Sequence, residues 1–311
     1  MSSFSSNWSW RLLSIKGKLL ILTGVGLTLL VFCVNSWTEV PVSSLHKRIL
    51  KRGKVTNEES SNTAIWQPKV GIKWQIQLEN AVEDIAIGAD VFDIDLFDNA
   101  AATISKIHNT GAKVICYFSA GTYEDWRSDA SEFSDSDFGS ALEDWPGERW
   151  LDVQSSNVRK IMQSRLDSAK QKGCDGVDPD NIDAYGNDNG LGLTEANAID
   201  YLNFLATESH SRGMSVGLKN GGEIIQSVIE NMQWSVNEQC AQYDECDIYA
   251  TFTDVNKPVF HIEYSGEIKV NNKLRVRVTN SQKSAACDAN SAEKFSTVIK
   301  NMELDAWVEY C

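Results

Sequence analysis

Residues 155–182 read SSNVRKIMQSRLDSAKQKGCDGVDPDNI, in which a helix is expected over 155–172, followed by a short run that contains acidic residues. The run GVDPDNI at 176–182 has the length of a strand. A second helix is expected over 194–212, because it opens on a Thr that can cap it and is followed by Gly213. Strands that alternate with such helices indicate βαβ units and a parallel sheet.

The same alternation extends in both directions from this stretch. Eight such units between residues 66 and 311 match the size of a (β/α)₈ TIM barrel, about 250 residues. An open doubly wound sheet is the alternative, but no glycine-rich phosphate loop follows the first strand. The sequence therefore predicts a TIM barrel. The other seven strand-like runs are 74–78, 91–97, 113–119, 215–220, 234–239, 258–264 and 295–300.

Several of these runs have apolar bodies and polar tips. The active site of a TIM barrel lies at the C-terminal ends of its strands, so these tips are the candidate substrate contacts. Side chains two apart in a strand share a face, so the acids of the VDPDN run can look into one pocket. The predicted polar contacts are Asp93, Asp95, Tyr117, Asp178, Asn181, Lys219, Asn220 and Glu263.

Two carboxyl groups from different strands are what hydrolysis of a glycosidic bond needs. The fourth strand supplies Asp180 or Asp178, and the sixth supplies Glu238. We assign Asp180 as nucleophile or base and Glu238 as general acid/base. Asp178 would raise the pKa of a neighbouring carboxyl and Lys219 would lower it, which can separate the two pKa values. Taken alone, an Asp-Pro-Asp-Asn run is also typical of a turn.

Tryptophans add a second signal for sugar binding. Trp74 and Trp126 are the two candidates for exposed rings that stack on a sugar, although most of the ten tryptophans belong in the core. The sequence offers few ligands for a metal ion. Ile182 stands where a calcium-binding loop needs an oxygen ligand, and no pair of histidines has the spacing of a zinc site. No cofactor is expected.

The first 65 residues differ in character from the rest. Residues 19–37 contain an uncharged apolar run preceded by Arg11, Lys16 and Lys18, which predicts a transmembrane signal anchor with a cytoplasmic tail at 1–18. A cleaved signal peptide is the alternative. Residues 38–65 read as a stalk with two dibasic pairs at which the domain could be released. This arrangement predicts a single-pass type II protein of the plasma membrane, with residues 66–311 outside the cell.

Charge and cysteines support an exported acidic domain. Residues 1–54 carry a charge of +7 while the chain carries −14, so the remainder carries −21. Such a domain repels nucleic acid and attracts cationic polymers. Six cysteines follow the apolar segment, and fifteen pairings are open. Cys240–Cys246 and Cys287–Cys311 are the expected disulfides, and Cys116 and Cys174 are expected to be buried thiols.

Blocks from the whole predicted barrel resemble glycoside hydrolase family 114, the endo-α-1,4-polygalactosaminidases. They include DVFDIDLFD, GAKVICYFSAGTYEDWRSD, KGCDGVDPDNIDAY, GLKN, WSVNEQC and VFHIEY. The resemblance implies a TIM barrel that cleaves α-1,4-linked galactosamine polymer internally, with its two acids falling on Asp180 and Glu238. It also implies a fungal enzyme acting on galactosaminogalactan of the cell wall and biofilm matrix. The cationic polymer would then be the partner of the acidic domain.

Two other functions fit the same residues. A carbohydrate-binding or adhesive barrel without activity also needs aromatics and polar strand ends, but it does not need Asp180 and Glu238 together. A glycosidase for another galactose or hexosamine polymer needs the same pair of acids. The sequence leaves both open.

Overall fold

The computed structural model describes residues 65–265, 267–270, 273–276 and 278–311. The predicted tail, signal anchor and nearly all of the predicted stalk lie outside the described residues. Of the helices that are described, none combines the length and apolar composition needed to cross a membrane.

Eight parallel strands form the centre of the fold, in chain order around the sheet. Each overlaps one of the eight predicted runs, so the TIM-type fold is confirmed. A short strand, Glu309–Tyr310, adds antiparallel to the last of them. The parallel strands are β1 (Trp74–Gln77), β2 (Val91–Asp95), β3 (Lys113–Ser119), β4 (Gly176–Asp180), β5 (Ser215–Lys219), β6 (Trp234–Glu238), β7 (Val259–Tyr264) and β8 (Ser296–Lys300).

Alternate side chains of these strands contribute to two separate hydrophobic cores. One set points into the barrel, where Trp74, Trp234 and Phe260 pack together with the aliphatic residues of the same faces. The other set packs against the surrounding helices. Successive side chains of a strand point to opposite faces, so only those on the interior face can reach the barrel mouth.

Glycine makes room for one of the tryptophan rings in the barrel interior. A Cβ at Gly217 would lie 1.9 Å from Nε1 of Trp234, which is fully buried and has no space to move. We expect Gly217→Ala to lower the free energy of unfolding by about 3 kcal/mol, as overpacking of a tight core does. Urea unfolding measures this change. Gly186→Ala is the control, because a Cβ there meets nothing within 4 Å; equal stabilities of the two variants would contradict the packing argument.

Helices cover the outside of the barrel. Both helices expected from sequence are present within one residue of their predicted bounds. Ser155 caps the first of them by accepting hydrogen bonds from the backbone N–H of Asn157 and Val158, and Gly173 ends it with a left-handed φ of 98°. The helices are α1 (Ala101–His108), α2 (Ser156–Lys172), α3 (Glu195–Ser211), α4 (Ile225–Val228), α5 (Cys240–Tyr243), α6 (Cys246–Asp254) and α7 (Asn280–Cys287).

The barrel closes between β8 and β1 through side chains. The described sheet has no backbone ladder at this seam. Instead Trp74 Nε1 donates to the carbonyl of Ser296 at 2.7 Å, and the Ser296 hydroxyl donates to the carbonyl of Ile72 at 2.6 Å. The backbone N–H of Leu78 donates to the carbonyl of Leu304 at 2.9 Å, which brings the segment after β8 to the barrel mouth.

An insertion between β3 and β4 rises above the mouth. We call residues 122–151 the β3–β4 insertion. It contains an antiparallel sheet of three short strands, Thr122–Glu124, Phe138–Ala141 and Glu148–Leu151, which the sequence did not predict. Outside the barrel, Glu267–Val270 and Lys273–Val276 form a hairpin between β7 and α7.

Three disulfides form among the cysteines that the structure describes. Cys240–Cys246 and Cys287–Cys311 are confirmed. The expectation of buried thiols at Cys116 and Cys174 is wrong, because these two residues form the third disulfide, with their Cα atoms 6.0 Å apart. Their apolar surroundings gave no sign of pairing, since the bridge joins β3 to a residue two positions before β4, across 58 residues of sequence.

Candidate active site

A cleft of about 860 Å³ opens at the C-terminal ends of the strands. Its floor comes from strand ends, one wall from the β3–β4 insertion, and the opposite rim from the segment after β8. It holds six of the predicted contacts and both predicted catalytic acids. Those residues are Asp95, Tyr117, Trp126, Asp180, Asn181, Lys219, Asn220 and Glu238.

Asp180 ends β4 and receives three donors. The Tyr117 hydroxyl donates to its Oδ2 at 2.9 Å, Lys219 Nζ lies 3.1 Å from the same oxygen, and the backbone N–H of Asn181 donates to Oδ1 at 2.7 Å. Asn181 takes a left-handed φ of 59°, which turns the chain sharply after the strand. Gly121 permits this turn, since a Cβ there would lie 1.6 Å from the carbonyl oxygen of Asn181.

Glu238 ends β6 and is held in a similar way. Lys219 Nζ lies 3.0 Å from its Oε2, Asn220 Nδ2 donates to that oxygen at 3.0 Å, and the Tyr264 hydroxyl donates to Oε1. Burial by itself raises the pKa of Glu238, but Lys219, Tyr264 and Asn220 together outweigh it and hold the pKa below its ordinary value. Glu238 is therefore ionised near neutral pH.

Lys219 lies between the two acids at the end of β5. Its side chain is 3 % exposed. Burial lowers the pKa of Lys219, but the nearby carboxylates, Asp180 and Glu238 first among them, raise it well above the usual value. Since Asp180 Oδ2 and Glu238 Oε2 bind one nitrogen at 3.1 and 3.0 Å, the sum of those distances, 6.1 Å, is the upper limit of their separation.

Asp93 and Asp178 lie deeper in the barrel, below these groups. Both are fully buried, and no described donor serves any of their four carboxyl oxygens. Burial raises the pKa of both, that of Asp178 to about 7, and each acid's pKa depends on the other. One proton shared between the two carboxyls satisfies this arrangement. The prediction that they contact substrate is corrected, because neither reaches the cleft.

The family model of glycoside hydrolase family GH114 matches residues 55–311. The chain belongs to glycoside hydrolase family GH114. The resemblance inferred from sequence is confirmed, and the protein is an O-glycosyl hydrolase.

Solved structures agree with this assignment. Aspergillus fumigatus Ega3, solved in complex with galactosamine, is 62 % identical, with a TM-score of 0.76 over 80 % of this chain and 98 % of that one. The glycoside hydrolase domain of PelA from Pseudomonas aeruginosa is 12 % identical, with a TM-score of 0.56 over 76 % of this chain and 98 % of that one, and shares the fold. A search of curated proteins found no match.

One wall of the GH114 cleft is an acid–base–acid cluster. Arg127 in the β3–β4 insertion binds Asp95 of β2 at 2.7 Å and Glu124 through two bonds of 2.8 Å. Asp95 also accepts the backbone N–H groups of Phe97 and Asp98. Asp95 therefore lines the cleft as predicted, but its oxygens are already occupied within the protein.

The two tryptophans predicted to stack on sugar lie in different parts of the GH114 enzyme. Trp74 is 1 % exposed and packs on Phe260 inside the barrel, so it is corrected from sugar contact to core. Trp126 is 55 % exposed and lines the cleft, as expected. Trp145, also in the β3–β4 insertion, is 54 % exposed at the same cleft and was not singled out from sequence.

Glu263 points away from the GH114 cleft and is corrected as a substrate contact. On β7, Phe260 and Ile262 face the barrel interior, so Glu263 faces the helices, where it accepts the backbone N–H of Ala241 at 2.9 Å and bonds His261 at 2.9 Å. The same alternation brings Tyr264, the last residue of this strand, to the mouth.

The described part of the GH114 chain brings few possible metal ligands together. The single group of donors close enough for an ion is Cys240, Cys246 and His261. Both of its sulfurs are used in a disulfide.

Proposed function

We propose that this GH114 enzyme cleaves α-1,4-linked galactosamine polymer within the chain, with Asp180 as nucleophile and Glu238 as general acid/base. One observation carries the proposal: two carboxylates from β4 and β6 meet on Lys219 at the floor of an open cleft. The complex of Ega3 with galactosamine, in a protein 62 % identical to this one, supports the choice of sugar.

The separation of the acids supports a double displacement. Retaining glycosidases hold their two carboxyls about 5–5.5 Å apart, whereas inverting enzymes need about 6.5–9.5 Å to seat a water molecule. The limit of 6.1 Å between Asp180 Oδ2 and Glu238 Oε2 lies below the inverting range. Asp180 then attacks the anomeric carbon while Glu238 protonates the leaving oxygen. Water, deprotonated by Glu238, releases the sugar from Asp180 in the second step.

The lining of the cleft supports a cationic polymer. Nine acids and only two basic residues, Arg127 and Lys219, line it, and both basic residues are bound to acids. An acidic cleft raises the local concentration of a polyamine sugar. The volume of about 860 Å³ is near the top of the roughly 300–1,000 Å³ range of ligand pockets, which suits a polymer segment more than one sugar.

Incubation with defined oligomers tests the function. We expect deacetylated galactosamine oligomers to be cut internally into shorter oligomers, with products identified by mass, and the rate to fall as salt is added. Exclusive release of single sugars would contradict internal cleavage. Absence of cleavage with retained binding would favour the non-catalytic carbohydrate-binding barrel, and cleavage of other galactose polymers alone would reassign the substrate.

The pH profile tests the role of Glu238. A general acid must be protonated, and its lowered pKa places the alkaline limb of kcat/KM at acidic pH. We expect Tyr264→Phe, which removes one hydrogen bond to the carboxylate, to move that limb upward by about 1 pH unit. The substrate titrates identically in both proteins, so the difference reports the enzyme. A limb that stays in place would argue against Glu238 as the acid.

We also propose that residues 19–37 hold the enzyme at the plasma membrane with its barrel outside. The uncharged apolar run and its basic flank support this location. Fractionation of cells expressing the full chain tests it: recovery in the soluble fraction without proteolysis at the dibasic pairs would contradict it.

A further inference from the structure

Two glutamates lie side by side on the cleft face of the β3–β4 insertion. Glu124 and Glu148 are direct partners across its antiparallel strands, and both line the cleft. They are 4 % and 8 % exposed. Like charges directly opposite each other destabilise a sheet, so this pair costs free energy unless something compensates it.

The compensation is unequal. Arg127 binds both oxygens of Glu124 and also binds Asp95. Among the donors of the described residues, Glu148 receives only the Thr122 hydroxyl, at 2.8 Å on Oε2. Within the part of the chain that the structure describes, no Lys, Arg or His nitrogen lies within 4.0 Å of Glu148. Glu148 is thus a buried carboxyl without a protein cation.

The surroundings of Glu148 within the protein disfavour its charge. Burial first, and then the charges of Glu124 and Asp180, together raise the pKa of Glu148 to about 7, against the opposing effects of Thr122 and Arg127. A cation that enters the cleft at this point removes the penalty, and it is attracted most strongly where water is excluded.

A hydrogen-bonded path ties Glu148 to the reacting end of β4. Thr122 Oγ1, which donates to Glu148, lies 2.5 Å from Ser119 Oγ, and Asn181 Nδ2 donates to both hydroxyls at 3.2 and 3.0 Å. Asn181 follows Asp180 directly. A group bound to Glu148 therefore belongs to a sugar close to the bond that is cut.

We propose that Glu148 binds the ammonium group of a deacetylated galactosamine unit beside the scissile bond and so makes the enzyme select deacetylated over acetylated polymer. The inference rests on the proposed function. An N-acetyl group is neutral and larger than an ammonium, so it leaves the carboxyl of Glu148 unpaired. Sites built around a buried polar group reject ligands that fail to satisfy it.

The test compares full-length wild-type protein with Glu148→Gln on deacetylated and N-acetylated oligomers of equal length. We expect kcat/KM on the deacetylated oligomer to fall by about 10-fold or more, the value of a charge-assisted hydrogen bond, with little change on the acetylated one. Glu303→Gln is the control, because Glu303 also lines the cleft but is exposed on the opposite rim. It removes the same charge from the acidic cleft, so it should lower the preference for the deacetylated oligomer far less than Glu148→Gln does.

Stability separates this role from a structural one. Gln keeps the shape of Glu and its bond to Thr122 while removing the uncompensated charge, so the Tm of Glu148→Gln should be equal or higher. A lower Tm with equal losses on both oligomers would overturn the proposal, as would an unchanged preference in a folded variant. A wild-type enzyme that prefers acetylated polymer would overturn it as well.

Binding reads the contact without turnover. In an Asp180→Asn background, adding Glu148→Gln should weaken binding of the deacetylated oligomer and spare the acetylated one. If the wild-type protein cuts neither oligomer but this difference in binding persists, the proposed hydrolysis fails and the ammonium site stands. If cleavage occurs and the difference is absent, the ammonium site fails alone.

Discussion

Asp180→Asn is expected to retain its fold and its affinity for galactosamine oligomers while losing turnover by about 10³-fold or more. Asparagine has the shape of aspartate, and its single carbonyl oxygen can still accept the backbone N–H of Asn181, but its amide cannot attack the anomeric carbon. Glu238→Gln should lose about 10²–10⁴-fold, the contribution of a general acid. Release of reducing ends measures turnover, and calorimetry measures binding.

The two variants should also differ from each other. A substrate with a good leaving group needs no proton from Glu238, so Glu238→Gln should recover part of its first step on an activated aryl glycoside, and Asp180→Asn should not. Asp188→Asn is the control, since Asp188 is exposed in the loop after β4 and does not line the cleft. Unchanged turnover in both active-site variants would leave only the binding barrel.

Lys219→Met is expected to damage both activity and stability. The ammonium is bound to Asp180 and Glu238 and acts on the Asp93–Asp178 pair below them. Removing one partner of a buried ion pair costs about 3–5 kcal/mol, because it leaves buried charge uncompensated. Methionine keeps much of the volume, so a loss of that size would come from charge more than from packing.

The loss should depend on pH in a defined direction. Asp178 has a folded pKa of about 7, above the ordinary value of 3.8, so its contribution to stability is fully present below the unfolded pKa and lost as pH rises toward 7. Glu238 has a lowered folded pKa, so its contribution is present above the unfolded pKa and lost in acid. In Lys219→Met, Glu238 loses the positive charge that most strongly stabilises its ionised form. Ionisation of the buried Glu238 then also opposes folding as pH rises.

The difference in unfolding free energy between wild type and Lys219→Met should therefore grow between about pH 4.5 and about pH 7.5. Urea unfolding at both values measures it. Lys257→Met is the control, because the ammonium of Lys257 binds carbonyl oxygens, those of Ile229 and Met232 among them. That variant should lose stability to a similar extent at the two pH values. A constant difference for Lys219→Met would show that its charge is not what the buried acids require.

The strands were predictable because each is a short apolar run with polar residues at its C-terminal end. That pattern located Asp180, Lys219 and Glu238 at one edge of the sheet. Alternation alone does not say which of two faces looks inward or how deep a residue lies. Glu263 was therefore assigned to the wrong face, and Asp178 to the right face but too shallow a level.

The β3–β4 insertion was not predictable for a different reason. Its strands are three or four residues long and pack on the barrel through loops, so no clear alternation marks them. Glu148 and Trp145 reach the cleft only because Glu148–Leu151 folds back on Thr122–Glu124. Contacts of this kind depend on the three-dimensional arrangement of the chain, and Cys116 and Cys174 were misjudged for the same reason.

The Cys116–Cys174 bridge has a consequence for damage to the enzyme. It encloses the whole β3–β4 insertion, exposed turns included, in a covalent ring. A protease that cleaves the turn between residues 141 and 148 breaks the backbone, but the Cys116–Cys174 disulfide still joins the two fragments. The nicked molecule should stay one covalent unit until a reductant is added, and cleavage of the polysaccharide should survive the first cut.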